Sequence, residues 1–190
     1  MAMADAERYQ PSTLTDWHDW LAANHQRPDG VWVIQWRTAS GRAPLPYDEM
    51  VREALCWGWI DGTVKTLDEQ RAMQWWAPRK PGSGWAATNK ARVADLEREG
   101  RLQPAGLAAI DLAKANGRWT FFDSVEALEE PAELRVALDA QPSARAAWDG
   151  FPKSVRKQAL AAIAMAKRPE TRTARITTIV AKAADGIRPV

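Results

Sequence analysis

The residues best suited to chemistry lie between Trp57 and Lys90. Trp57, Trp59 and Asp61 are spaced two residues apart, so a regular strand would place all three on one face. This pattern indicates a tryptophan-lined pocket with one acidic group. It is equally typical of a packed junction between a helix and a strand, in which Asp61 caps or bends the turn. The spacing leaves both interpretations open.

A second group of residues, from Trp75 to Asn89, combines features that are typical of an anion-binding site. Arg79 offers a planar fork for a carboxylate or phosphate. Ser83 is expected to cap a helix whose free N–H groups and dipole favour negative charge. An ordinary surface loop before a capped helix is the alternative. The predicted ligand-binding set is Trp57, Trp59, Asp61, Trp75, Arg79, Lys80, Ser83, Trp85 and Asn89.

Basic residues recur in a third place, between residues 166 and 176. They predict either a local cluster of salt bridges and caps between two helices, or a basic surface that contacts a partner. The residues predicted for that interaction are Lys167, Arg168, Arg172 and Arg175.

The sequence contains no complete catalytic or metal-binding motif. Its two histidines, His18 and His25, and its single cysteine, Cys56, are too few for a structural zinc site. Cys56 lies in an apolar run, which is typical of a buried residue. We therefore expect no metal and no cofactor, and favour binding over catalysis. The enzymatic alternative uses Asp61 as acid or base and Arg79 to hold an anionic substrate.

Composition limits the class of partner. The chain has 190 residues and a net charge of +2, so no overall charge favours nucleic acid, and nucleic-acid binding is not expected. No window approaches the roughly 18 apolar residues of a membrane span, and the start lacks the apolar core of a signal peptide. We expect a cytoplasmic protein without membrane insertion. Tryptophan is unusually frequent, with 11 residues against 3 Phe and 2 Tyr.

The elements that must position these residues predict an α+β fold. About three antiparallel strands, at 31–37, 59–67 and 71–77, pack against helices at 12–23 and 47–56, with a bulge or bend at Asp61 and Gly62. Helices follow from Ser83 to Gly100, over 104–116, and then over 131–140, 142–150, 152–167 and 169–184. The expected organisation is a flexible N-terminus at 1–11, a core at 12–118 that carries the pocket, and a helical region at 119–190 packed on the core as one structural unit.

The motifs together resemble a known family. They are Glu-Ala-Leu-Cys-Trp-Gly-Trp-Ile-Asp-Gly, then Pro-Arg-Lys-x-x-Ser-x-Trp-x-x-x-Asn, then Pro-Ala-Gly, and finally Ala-Lys-Arg-Pro-Glu-Thr-Arg-x-x-Arg-Ile. Over about residues 30–184 the chain resembles the YdeI or OmpD-associated family, also called bacteriocin-protection proteins. The matching positions are Trp59, Asp61, Gly62, Pro78, Arg79, Ser83, Trp85, Asn89, Lys167, Arg168, Glu170, Thr171, Arg172 and Arg175. Ala86 stands where the family often has a second serine.

The resemblance implies protection against antimicrobial peptides and association with an outer-membrane porin, and it supplies no catalytic residues. The leading hypothesis is a non-catalytic binding protein for a small anionic or planar ligand, linked to envelope stress. A protein-interaction module that uses the helical C-terminal half is the second. The enzyme built on Asp61 and Arg79 is the third.

Overall fold

A computed structural model describes residues 6–189 and confirms the α+β class. The chain divides into two compact units. The first unit comprises the residues up to Gly84 together with Thr88–Trp119. The second unit comprises Trp85–Ala87 together with the residues from Thr120 onward. The first unit contains β1 (Arg8–Tyr9), α1 (Leu14–Asn24), β2 (Val31–Trp36), α2 (Tyr47–Cys56), β3 (Trp59–Thr66), β4 (Arg71–Pro78) and α4 (Pro104–Ala115), and nearly all of α3 (Ala87–Arg98). The second contains α5 (Asp123–Glu126), α6 (Ala132–Asp139), α7 (Pro142–Gly150), α8 (Lys153–Ala164) and α9 (Pro169–Ala184).

The sheet has four strands in the order β1-β2-β4-β3. The three predicted strands are present and pair antiparallel. A fourth strand, β1, which was not predicted, adds to β2 in parallel and makes the sheet mixed. β1 is only Arg8–Tyr9, too short to show a periodicity, and the ring of Tyr9 stacks on Trp20 at 5.6 Å. The sequence predicts a flexible N-terminus at residues 1–11. Positions 1–5 of that segment lie outside the described residues.

The pairing of β3 with β4 contains the predicted bulge. Asp61 pairs with Trp76 and Val64 with Gln74, so three steps along β3 match two along β4. One extra residue on a strand bends it and re-aims the side chains beside it. The bulge therefore decides where the carboxylate of Asp61 points.

Tryptophans of α1 cover one face of the sheet. Trp17 meets Trp76 edge to face at 5.3 Å, and Trp20 meets Trp59 in the same way at 5.5 Å. The indole N–H of Trp17 donates to Met50 O at 3.1 Å, and that of Trp59 donates to His25 O at 3.0 Å. Most of the tryptophans are buried, namely Trp17, Trp32, Trp59, Trp76, Trp85 and Trp148, so core packing accounts for much of the high tryptophan count.

The starts of α1 and α3 differ in how they are capped. Thr13 caps α1, because its hydroxyl accepts from Asp16 N at 3.0 Å while Asp16 accepts in return from Thr13 N at 2.9 Å. The prediction that Ser83 caps the next helix is wrong, since α3 begins at Ala87. Ser83 N instead donates to Lys80 O at 2.9 Å and closes a turn.

The second unit has an apolar core of its own, formed by α5 to α9. Leu134, Leu138, Trp148 and Ile163 are its most deeply buried large residues. Proline occupies the first turn of α7 and α9, where its fixed φ suits the helix and its missing N–H costs nothing.

Candidate functional site

Three side chains of the first unit converge at the bulge, and we call them the Asp61 group: Tyr47, Asp61 and Gln74. The hydroxyl of Tyr47, the first residue of α2, donates to Asp61 Oδ2 at 2.7 Å. Gln74 Nε2, on the neighbouring strand, donates to the same oxygen at 2.9 Å. Both bonds fix the carboxylate in one orientation. Within residues 6–189, Asp61 Oδ1 has no such donor and can accept from a ligand.

Tyr47 acts in this group as a donor. Burial and the hydrogen bond to Asp61 raise the pKa of Tyr47 to about 12. The phenol is therefore protonated throughout the neutral range and keeps its proton directed at the carboxylate.

Arg79 provides the positive charge near the Asp61 group. It follows β4 directly, and its backbone N–H donates to Gly58 O at 2.9 Å. Its side chain is partly buried and donates from Nη2 to Gly84 O at 2.8 Å. Burial lowers the pKa of Arg79 to about 10, and the negative charge of Asp61 opposes that decrease. Arg79 thus remains a cation at neutral pH.

Asn89 is held by a residue that the sequence analysis did not select. Arg92 Nη1 donates to Asn89 Oδ1 at 2.8 Å, while Arg92 Nε and Nη2 donate to Asp48 Oδ1 at 2.9 and 2.7 Å. These bonds join the start of α3 to the start of α2. The spacing of Asn89 and Arg92, three residues apart on a helix, is the signal that would have found the pair.

The predicted tryptophans do not gather around Asp61. Trp59 and Trp85 are buried, at 0% and 2% exposure. Trp57 is the C-cap of α2 and lies off the strand, so the expected common face of Trp57, Trp59 and Asp61 does not form. Its ring packs beside His25 at 4.7 Å.

Trp75 lies on the opposite side of the sheet from Asp61. Directly paired residues share a face, so Asp61 shares one with Trp76, and the neighbouring Trp75 faces away. Its ring contacts Trp32 at 5.3 Å and fills the space where a Cβ on Gly30 would be. The alternation of side chains along β4 therefore removes Trp75 from the predicted pocket. Lys80 is exposed in the turn that Ser83 closes.

The basic residues of the second unit divide into two kinds. Arg175 donates to Ala162 O, and Arg172 donates to Ile163 O at 3.4 Å, so both satisfy carbonyl groups in the last turn of α8. Arg172 also reaches Glu133 at 3.4 Å. Lys167 and Arg168 remain exposed. The pattern favours a structural capping role for the two arginines of α9.

Groups that could support other chemistry are already engaged. Cys56 is buried, and that burial raises the pKa of its thiol to about 11, so it is not a nucleophile at neutral pH. His18 Nδ1 lies 2.7 Å from Glu53 Oε1. Across residues 6–189, no three His, Cys, Asp or Glu side chains group in a way that could hold a metal ion. The same part of the chain has no helix long and apolar enough to cross a membrane.

Comparison with known families separates the chain into two matched segments. Residues 9–109 match the model described as Domain of unknown function (DUF8412), and residues 127–186 match Bacteriocin-protection, YdeI or OmpD-Associated. The resemblance inferred from the motifs is thus confirmed for the C-terminal part, whereas the motifs around Asp61 and Arg79 lie in the first segment. No curated protein and no solved structure matches the chain. Residues 127–186 match the YdeI/OmpD-associated model over about a third of the chain. Since the first match spans more than half of the chain, the protein belongs to the DUF8412 family.

Proposed function

We propose that this protein is a non-catalytic binding protein that takes a small, planar, anionic ligand beside the Asp61 group. The observation that carries the proposal is a partly buried arginine, Arg79, near a carboxylate that two donors hold in one orientation. Arg79 supplies a cation in a medium of low dielectric, where attraction to an anionic group is stronger than in water. Asp61 Oδ1 supplies an acceptor for an N–H group of the same ligand.

Hydrogen bonding in the Asp61 group favours binding over acid–base catalysis. A general acid or base works best with a pKa near the operating pH. The pKa of Tyr47 is raised to about 12, so this phenol holds its proton and serves to orient Asp61. An oriented acceptor beside a fixed cation is the arrangement expected of a recognition site.

A ligand with the required chemistry is available as a probe. Orotate is planar and carries both ring N–H donors and a carboxylate, whereas uracil has the ring donors without the carboxylate. Protein-observed ¹H–¹⁵N NMR titration should show saturable shifts with orotate in the side-chain amide of Gln74, and much weaker binding of uracil. Asp61→Asn and Arg79→Met should each weaken orotate binding at least tenfold.

The matched control is Arg98→Gln, which removes the same charge from an arginine side chain of α3 that is 76% exposed. This variant should bind orotate like the unchanged protein. Thermal unfolding of each variant shows whether a loss of binding is a loss of fold. The proposal fails if folded Asp61→Asn binds orotate unchanged, or if uracil binds as tightly as orotate.

The proposed biological role is resistance to antimicrobial peptides during envelope stress. The match over residues 127–186 supports this role, because that family is described by bacteriocin protection. A survival assay under peptide challenge tests it, comparing cells that carry the unchanged gene, Arg79→Met or no gene. Equal survival of all three would exclude the role.

A further inference from the structure

The first unit contains a cleft of about 510 Å³ at the end of β2, which we call the β2-end cleft. It arises because β1 pairs only with Trp32 and Val33 and leaves the last residues of β2 without a strand partner on that side. Its volume falls in the range of small-molecule sites. The cleft is lined by Gln10, Pro11, Ser12, Ile34, Gln35, Trp36, Arg42, Ala43 and Leu45.

Gln35 places an unused donor at this cleft. Its Oε1 accepts from Leu45 N at 3.0 Å, and that bond fixes which end of the amide is oxygen. Nε2 is consequently an N–H₂ group without a hydrogen-bond acceptor within residues 6–189; its surface is closed to solvent, so a ligand oxygen reaches it only after the Gln35 side chain shifts. A buried donor without an acceptor costs about 1–3 kcal/mol, which a ligand oxygen would recover.

Arg42 places a positive charge at the same cleft. Its Cζ lies 4.3 Å from the centroid of the Trp36 ring, a cation–π contact that holds the guanidinium in place. Stacking uses the flat face of the guanidinium and leaves its N–H edges available to an anion. The residues that line the cleft include no carboxylate that would compete for this charge.

We propose that the β2-end cleft binds a small organic acid. The Gln35 side chain shifts to present Nε2, and the carboxylate accepts from Nε2 and from Arg42. The apolar body of the acid packs on Pro11, Ile34 and Leu45. The β2-end cleft is separate from the Asp61 group. The proposal for the cleft does not depend on the function proposed for the Asp61 group.

Benzoate tests the proposal, with benzamide as its uncharged counterpart. In ¹H–¹⁵N spectra of the full chain, the side-chain amide of Gln35, assigned by its loss in Gln35→Met, should shift saturably with benzoate at millimolar concentration. Arg42→Gln alters an exposed residue and so should fold normally, yet it should weaken binding at least tenfold. Arg37→Gln is the matched control, because Arg37 is exposed and does not line the cleft.

Several results would overturn the proposal. They are the absence of saturable shifts at Gln35, binding of benzamide as tight as that of benzoate, and unchanged binding in Arg42→Gln. Equal weakening in Arg42→Gln and Arg37→Gln would also overturn it, since it would show a general charge effect. Binding that is lost in Arg42→Gln alone supports a built carboxylate site.

Discussion

The carboxylate of Glu130 joins two helical side chains of the second unit, and removing it should cost a calculable amount. Arg145 donates to both oxygens of Glu130, at 2.6 and 2.9 Å, and the buried indole of Trp148 donates to Oε1 at 2.7 Å. Arg145 keeps a second partner in Asp149. Glu130→Ala therefore leaves one buried N–H without an acceptor, about 1–3 kcal/mol, and removes a partly buried bidentate ion pair.

Together these losses predict that Glu130→Ala lowers the free energy of unfolding by about 2–4 kcal/mol. For a chain of this size that corresponds to a decrease in Tm of roughly 4–16 °C. Glu130→Gln should lose less, because its amide oxygen still accepts from Trp148. Urea unfolding followed by circular dichroism gives both values, and exposed Glu129, changed to Ala, is the matched control.

The same interaction predicts a pH dependence. The hydrogen bonds from Arg145 are the main reason that the pKa of Glu130 is lowered, despite its burial. A carboxyl group whose pKa is lower in the folded than in the unfolded protein stabilises the fold. This stabilisation is complete above the pKa of the unfolded state, and it is lost as the pH falls through the pKa of the folded state. The difference in the free energy of unfolding between the unchanged protein and Glu130→Gln should therefore become smaller as the pH falls. A difference that grows in acid, or a neutral-pH loss within about 0.5 kcal/mol of the Glu129→Ala control, would refute the reasoning.

Other parts of the chain give further predictions. Gly106→Ala should destabilise by about 1–3 kcal/mol in urea unfolding, because its Cβ would overlap a backbone carbonyl of α2, whereas Gly150→Ala meets open space and should not destabilise. The phenol of Tyr47 should titrate near pH 12 in ultraviolet absorbance, and Asp61→Asn should move that titration toward 10. Arg175→Ala should cost about 1–3 kcal/mol in the same unfolding assay, since it frees a carbonyl group near the end of α8.

The antiparallel strands and the helices could be predicted because their signals are local. Runs of β-branched and aromatic residues predicted β2, β3 and β4, and the bulge was predicted from Asp61 and Gly62. Thr13 caps α1 through short-range bonds that its sequence neighbours already define. The capping error at Ser83 has a local cause too: two glycines and a proline around it form a turn that delays the helix to Ala87.

The candidate site could be predicted only in part, because the role of a tryptophan depends on distant contacts. Trp59 is covered by Trp20 of α1, and nothing near Trp59 in sequence reveals that contact. Asp61 and Arg79 were selected for their charge, and the structure does couple them electrostatically. Tyr47 and Gln74, which orient Asp61, were missed because each lies at least 13 residues from it along the chain.

The order of strands in the sheet also has a consequence for how the chain reaches this fold. β3 and β4 are joined by a short turn at Asp68, whereas the residues that pair between β2 and β4 lie much farther apart in sequence, as Val31 and Trp76 do. Loop closure makes distant pairing slower than local pairing. The hairpin should therefore acquire hydrogen-exchange protection first and β2 next. β1 should dock last for another reason: it pairs through only two residues and needs β2 already in place, so the wall of the β2-end cleft is completed at the end of folding.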